Sequence, residues 1–183
     1  MFEEEESLSI PRLAERLGVR QSSFYKHVTG RQEIIELARG ALVDRAPMPE
    51  LPSGSLDDVI REIFDSLRKA YSLVPALLPL LLTQPVSHPA ALERYDQFVE
   101  AFEIAGAPRH LIIPALETLD SAAIGASLDA MTMESAWSIN QEEEGTYPHL
   151  FAAKKAVAEH PVDRFAFLAD VLSAGLKAAI DDD

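Results

Sequence analysis

Between positions 20 and 27 the sequence runs Arg20, Gln21, Ser22, Ser23, Phe24, Tyr25, Lys26, His27. All but Phe24 carry hydrogen-bonding groups. On a short helix with Phe24 turned inward, the others are left outside, a mixture suited to a DNA major groove. Gln can bond adenine bidentately, Arg can bond guanine, and Ser, Tyr and Lys can hold phosphate oxygens. Just beyond, Thr29-Gly30-Arg31 opens an apolar-periodic run. The free N–H groups of a helix start, together with the Arg31 guanidinium, would bind a further phosphate. Catalytic signals are missing. The five histidines (His27, His88, His110, His149, His160) have neither the i, i+4 pairing nor the carboxylate spacing of a zinc site. There is no nucleophile elbow and no phosphate-binding glycine loop. With no cysteine, a disulfide framework and a thiolate metal site are both excluded. Neither an enzyme nor a cofactor is expected.

The charge distribution singles out the same segment. The formal net charge of -14 argues against nucleic acid, because phosphates repel an acidic surface. Residues 7–46, however, carry seven basic side chains against four acidic ones. From residue 47 onward there are nine basic and 22 acidic residues, and Glu3 to Glu6 precede the basic segment. One basic module on an acidic body is the pattern of a small DNA-facing unit. The longest apolar block, residues 74–82, is short and holds Pro75 and Pro79, well under the roughly 18 residues of a membrane span. The acidic start is the opposite of a signal peptide, and a cytoplasmic location is expected.

The elements that position these residues read as all α. Apolar residues recur at three- and four-residue spacing, with Pro and Gly at the boundaries. A helix is predicted over 10–17, with Ser9 as N-cap, Pro11 in its first turn and Gly18 after it. A second spans 21–27. A third spans 31–45, with Thr29 and Gln32 as a capping box and Ile34, Ile35, Ala38, Ala41 and Leu42 inward. Residues 46–54 hold three prolines and a glycine and mark a joint. Two domains are therefore expected, 1–46 and 47–183. In the second, Ser55 caps a helix to residue 73 with Leu56, Val59, Ile60, Ile63, Phe64 and Leu67 inward. Residues 74–85 form a proline-broken helix or turn. Helices follow over 89–105 (stripe Leu92, Tyr95, Phe98, Val99, Phe102), 109–138 (with Pro114 early or at a kink), 148–159 and 162–180, with an exposed loop at 140–147.

Residues 8–46 are specific enough to name a relative. Leu13-Ala14-Glu15-Arg16-Leu17-Gly18-Val19, then Tyr25-Lys26-His27-Val28, then Arg31, resembles the DNA-binding region of TetR-family repressors. There an L-A-x-x-L-G-V turn precedes a recognition helix ending in Y-x-H-V/F and a basic residue. The stretch 20–25 is especially similar to tetracycline-repressor-like members. Leu13, Ala14, Leu17, Val19 and Phe24 fall where they would lock a helix-turn-helix. The sequence also departs from the family. Its members begin with a further helix packed across the motif, whereas only eight residues precede Ser9 here and four are glutamate. That helix reads as absent or reduced to one turn, through a start recorded downstream, a truncation or a real loss. Pro11 stands where a base-reading arginine is often found.

The resemblance implies an N-terminal helix-turn-helix and a larger ligand-binding and dimerisation body. It implies a homodimeric repressor released from a near-palindromic operator by a small hydrophobic effector. Dimerisation would use the helices near 109–138 and 162–180. The sequence adds small residues on the first (Ser121, Ala122, Gly125, Ala126, Ala130) and a seam on the second (Phe165, Leu168, Leu172, Leu176, Ala179). Effectors of the family enter between body helices, which makes Phe64, Tyr71, Leu78, Phe98, Phe102, Leu119, Met131 and Trp137 the candidate lining. Plain core packing explains such stripes equally well. Asp120 would orient an effector if it faces inward, but a solvated position is expected for it. The rival reading is a dimerising ligand-binding protein whose incomplete helix-turn-helix does not bind DNA.

Overall fold

A computed structural model describes residues 30–46, 48–52, 54–130 and 139–181. The two helices expected over 10–17 and 21–27, Thr29 of the expected capping box, and Met131 and Trp137 lie outside them. The described residues form helices and connecting turns, with no strand. In chain order the helices are α1 (Arg31–Arg45), α2 (Leu56–Ser72), the short α3 (Leu78–Leu81), α4 (Pro89–Ile104), α5 (Arg109–Asp129), α6 (Pro148–Glu159) and α7 (Arg164–Asp181).

The central element is α2, which packs against α1, α4, α5 and α7. Its start follows from local chemistry. Ser55 Oγ accepts the Asp58 N–H at 3.2 Å, Asp57 and Asp58 sit in the first turn and Lys69 in the last. All three charges suit the helix dipole. The inward stripe Val59, Ile60, Ile63, Phe64 and Leu67 is buried. It meets Phe98 and Phe102 of α4 and Ile112, Leu116 and Leu119 of α5 in one continuous core. Each such side chain contributes about 1.5–3 kcal/mol on burial. α4 stops at Gly106, whose φ of 88° places it in the left-handed region. The Ala107 N–H bonds Phe102 C=O and the Gly106 N–H bonds Glu103 C=O, both at 3.0 Å, the hydrogen-bond pair of a Schellman stop. α5 is long and apolar enough by composition to cross a membrane, yet its apolar face is spent on this core.

The structure moves several sequence expectations. Helix α1 has Gly30 as N-cap with no side-chain cap bond. On its inner face Ala41 is exposed, while Arg39 and Gly40 are buried. Leu92, placed in the stripe of α4, is half exposed, because the positions of α4 that face the core are Ala91, Phe98, Ala101 and Phe102. Of the helix expected over 109–138, Arg109–Asp129 is described as helix, and residues 131–138 lie outside the described residues. The α7 seam is turned differently from its expected role. Phe165, Leu168, Leu172 and Leu176 pack against the chain's own core, whereas Phe167 and Val171 are 60% and 51% exposed. That orientation is fixed by Ser173, fully buried, whose hydroxyl donates to Asp57, and by Arg61, which joins Asp57 to Asp170. α6 has no buried residue among those described.

Candidate functional site

Of the expected DNA contacts, Arg31 is described. It is exposed at the first position of α1, beside N–H groups that the helix start leaves free. Arg20, Gln21, Ser22, Ser23, Tyr25, Lys26 and His27 lie outside the described residues. The structure does show how the helix that follows them is held. Arg39 projects from the middle of α1 and is only 8% exposed. Its Nη2 donates to the carbonyls of Leu81 (2.9 Å) and Gln84 (3.5 Å), and its Nε donates to Glu36 at 3.0 Å. Glu36 also accepts the Ser87 N–H and the Ser87 hydroxyl, each at 2.9 Å, and Gln84 Nε2 at 3.1 Å. Burial by itself would push the Glu36 carboxyl up. The hydrogen bonds from Ser87, Arg39 and Gln84 overcome it and hold the group at about 2.

Two further contacts complete this clamp. Gly40 faces the His88 imidazole so closely that a Cβ there would overlap the ring. The glycine is therefore kept in mid-helix, at about 1 kcal/mol relative to alanine, by close approach. The Nδ1 of His88 is buried and finds no partner among the described residues. At the other end of α1, Arg94 Nη2 donates to Val43 C=O at 3.0 Å and to Ala46 C=O, satisfying carbonyls that the helix end leaves free. α1 is thus fastened at its middle to residues 81–88 and at its end to α4.

Residues 81–86 also form one wall of a cavity of about 180 Å³, lined further by Arg39, Tyr71, Leu78, Asp120 and Ile124. A smaller one of about 40 Å³ lies on the other side of Arg39 and Tyr71, with Arg94 and Tyr95 in its wall. Of the expected lining residues, Tyr71 and Leu78 are on the cavity wall. Phe64, Phe98, Phe102 and Leu119 are at most 1% exposed and belong to the core.

Asp120 is not the solvated helix residue expected. Both the Tyr71 and Tyr95 hydroxyls donate to its Oδ1, the latter at 2.8 Å, and the two hydroxyls are 3.3 Å apart. Burial, then the neighbouring Tyr95 and Asp120, push the Tyr71 hydroxyl well above its ordinary value. Burial and Asp120 do the same to Tyr95, so both phenols remain protonated donors. No three His, Asp or Glu side chains converge on a metal position among the described residues.

The signals for the inward placement of Arg39 and Asp120 are periodic. Position 39 lies four after Ile35 and three before Leu42, and position 120 lies four after Leu116 and four before Ile124. Both are inward helical positions.

The all-helical arrangement of the described residues is the fold seen in solved TetR-family regulators. The chain superposes on a possible TetR-family transcriptional regulator from Streptomyces coelicolor A3(2) with a TM-score of 0.75, at 21% identity, covering 95% of this chain and 91% of that one. Against apo ActR from Streptomyces coelicolor the TM-score is 0.73, at 19% identity and coverages of 94% and 88%. In sequence, it is 29% identical over 153 residues to an HTH-type transcriptional regulator of Saccharopolyspora erythraea, covering 84% of this chain and 60% of that protein. It is 24% identical over 136 residues to the HTH-type transcriptional repressor DrrR1 of Streptomyces coeruleorubidus, with coverages of 72% and 49%. The chain therefore spans about half to three fifths of the length of these relatives. No family model matches it.

Proposed function

We propose that the chain is a cytoplasmic, DNA-binding transcriptional repressor, acting as a homodimer and released from its operator by a small effector. The observation that carries this reading is a continuity. In sequence the segment 20–27, which we read as base-contacting, comes just before α1, and α1 is held by Arg39 and Glu36 to Leu81 and Gln84, which line the cavity, and by Glu36 and Gly40 to the adjoining Ser87 and His88. A molecule entering that cavity displaces residues 81–88, and the clamp passes the displacement to α1 and the motif before it. The effector must bind the DNA-incompetent arrangement more tightly, since only differential affinity shifts a population. One structural relative supports the effector role by analogy: ActR has been solved in complex with (S)-DNPA.

Exposed faces support the dimer. Phe167 and Val171 continue along α7 into exposed Ala174, Gly175 and Ala178, and Ser121 and Gly125 are exposed on α5. A Cβ on Gly125 or Gly175 would meet nothing within 4 Å. Packing within the chain gives these helix glycines no reason; close approach by a second copy does.

The test is a gel shift against DNA flanking the gene. Gln21→Ala is expected to relax sequence preference, and Arg31→Ala to weaken binding to all sequences alike. Equal loss on every sequence for both variants contradicts the assigned roles. Failure of the wild-type chain to shift any duplex favours the ligand-binding protein without DNA activity.

A further inference from the structure

We infer that the cavity beside Asp120 is a site for a small organic cation, an amine with an apolar body of about one ring. The inference rests on the effector reading for the cavity's role but not for its chemistry. Most of the wall is apolar, with Leu78, Leu81, Val86 and Ile124 around one carboxylate. Two phenols donate to a single oxygen of that carboxylate, Oδ1, which leaves Oδ2 with its lone pairs. Having spent their protons on Oδ1, the phenols can only accept further hydrogen bonds. In the cavity wall, Oδ2 and the Tyr71 oxygen therefore ask for a multiple donor.

The charges agree. Asp120 has no ion-pair partner among the described residues, while Arg39, the one cation in the wall, is already neutralised by Glu36 at 3.0 Å and held by the Leu81 carbonyl. An anionic ligand would meet the unpaired carboxylate, and a neutral apolar one would leave it desolvated. An ammonium gains a charge-assisted hydrogen bond. The volume, about 180 Å³, is below the roughly 300–1,000 Å³ of drug-sized sites and suits one ring with a short chain.

The test is calorimetric titration of the full chain with three probes of similar shape: phenethylamine, phenethyl alcohol and phenylacetate. Phenethylamine is expected to bind at least about tenfold more tightly than either of the others, the scale of a hydrogen bond to a charged group. An acidic chain of net charge -14 attracts any cation weakly, so the decisive variant is Asp120→Asn. It removes one charge among many and is expected to abolish the preference. Val86→Trp, which fills the cavity without changing charge, is expected to abolish it as well and decides the question if Asp120→Asn does not fold. Equal binding of the alcohol or the carboxylate, binding of none of the three, or a preference that survives both variants overturns the inference. DNA binding of the same sample without probe separates the two readings. DNA binding with no amine preference sinks the cation site alone, and amine preference without DNA binding sinks the repressor alone.

Discussion

Glu36 is the residue on which the hold between α1 and the body converges, because it accepts from Ser87, Gln84 and Arg39 at once. Its carboxyl sits at about 2 in the folded chain against an ordinary 4.5. The unfolded chain thus binds more protons between those values. The stabilisation is full above about pH 4.5 and is lost as pH falls toward 2. Glu36→Gln is expected to lower stability at neutral pH by about 1–3 kcal/mol and to flatten the difference from wild type across that acid window, measured by denaturant melts at several pH values. An unchanged difference down to pH 2 would contradict the role. Gly40 provides a second check. Gly→Ala in a helix interior ordinarily stabilises by about 1 kcal/mol. Here Gly40→Ala should destabilise, because the new Cβ meets the His88 ring, and in a His88→Ala background it should stabilise. A double-mutant cycle reads this coupling directly, and additivity of the two changes would remove His88 from the clamp.

The elements themselves were largely legible. Their boundaries follow from local chemistry that the sequence states: Ser55 before α2, Pro89 at the start of α4, Gly106 after it, and Pro148 opening α6. What was not legible is which partner each apolar face meets. The stripe Phe165, Leu168, Leu172, Leu176 reads the same whether it covers its own core or a second copy, and the choice is made by Asp57 and Arg61 reaching α7 from α2, more than 100 residues away. Of the polar residues here only Tyr95 reads as inward, while Asp120 reads as solvated and Arg39 is not singled out, because their mutual placement is a long-range property: a polar residue on an apolar face does not announce its partner. The face left over on α7 carries a prediction. Phe167→Asp or Val171→Arg should convert the proposed dimer to monomer in size-exclusion chromatography with light scattering, while leaving the helical circular dichroism intact, because neither side chain serves the chain's own core. A dimer that persists in both variants would place the interface elsewhere.

At the scale of the whole molecule, charge is divided unevenly along the chain. Residues 7–46 carry a surplus of basic side chains, and the rest of the chain is strongly acidic. In the proposed function, the acidic body would repel DNA and favour approach through the basic segment. A dimer would set two recognition helices in successive major grooves, roughly 34–36 Å apart. The central claim is sequence-specific DNA binding, and the most direct measurement is fluorescence anisotropy of a labelled duplex carrying a near-palindromic sequence from beside the gene, titrated at several salt concentrations against a scrambled duplex. The account predicts tighter binding to the near-palindrome at every salt, with affinity for both falling linearly in log–log form as phosphate contacts release counterions. Indistinguishable affinities for the two duplexes, or binding that ignores salt, would contradict it.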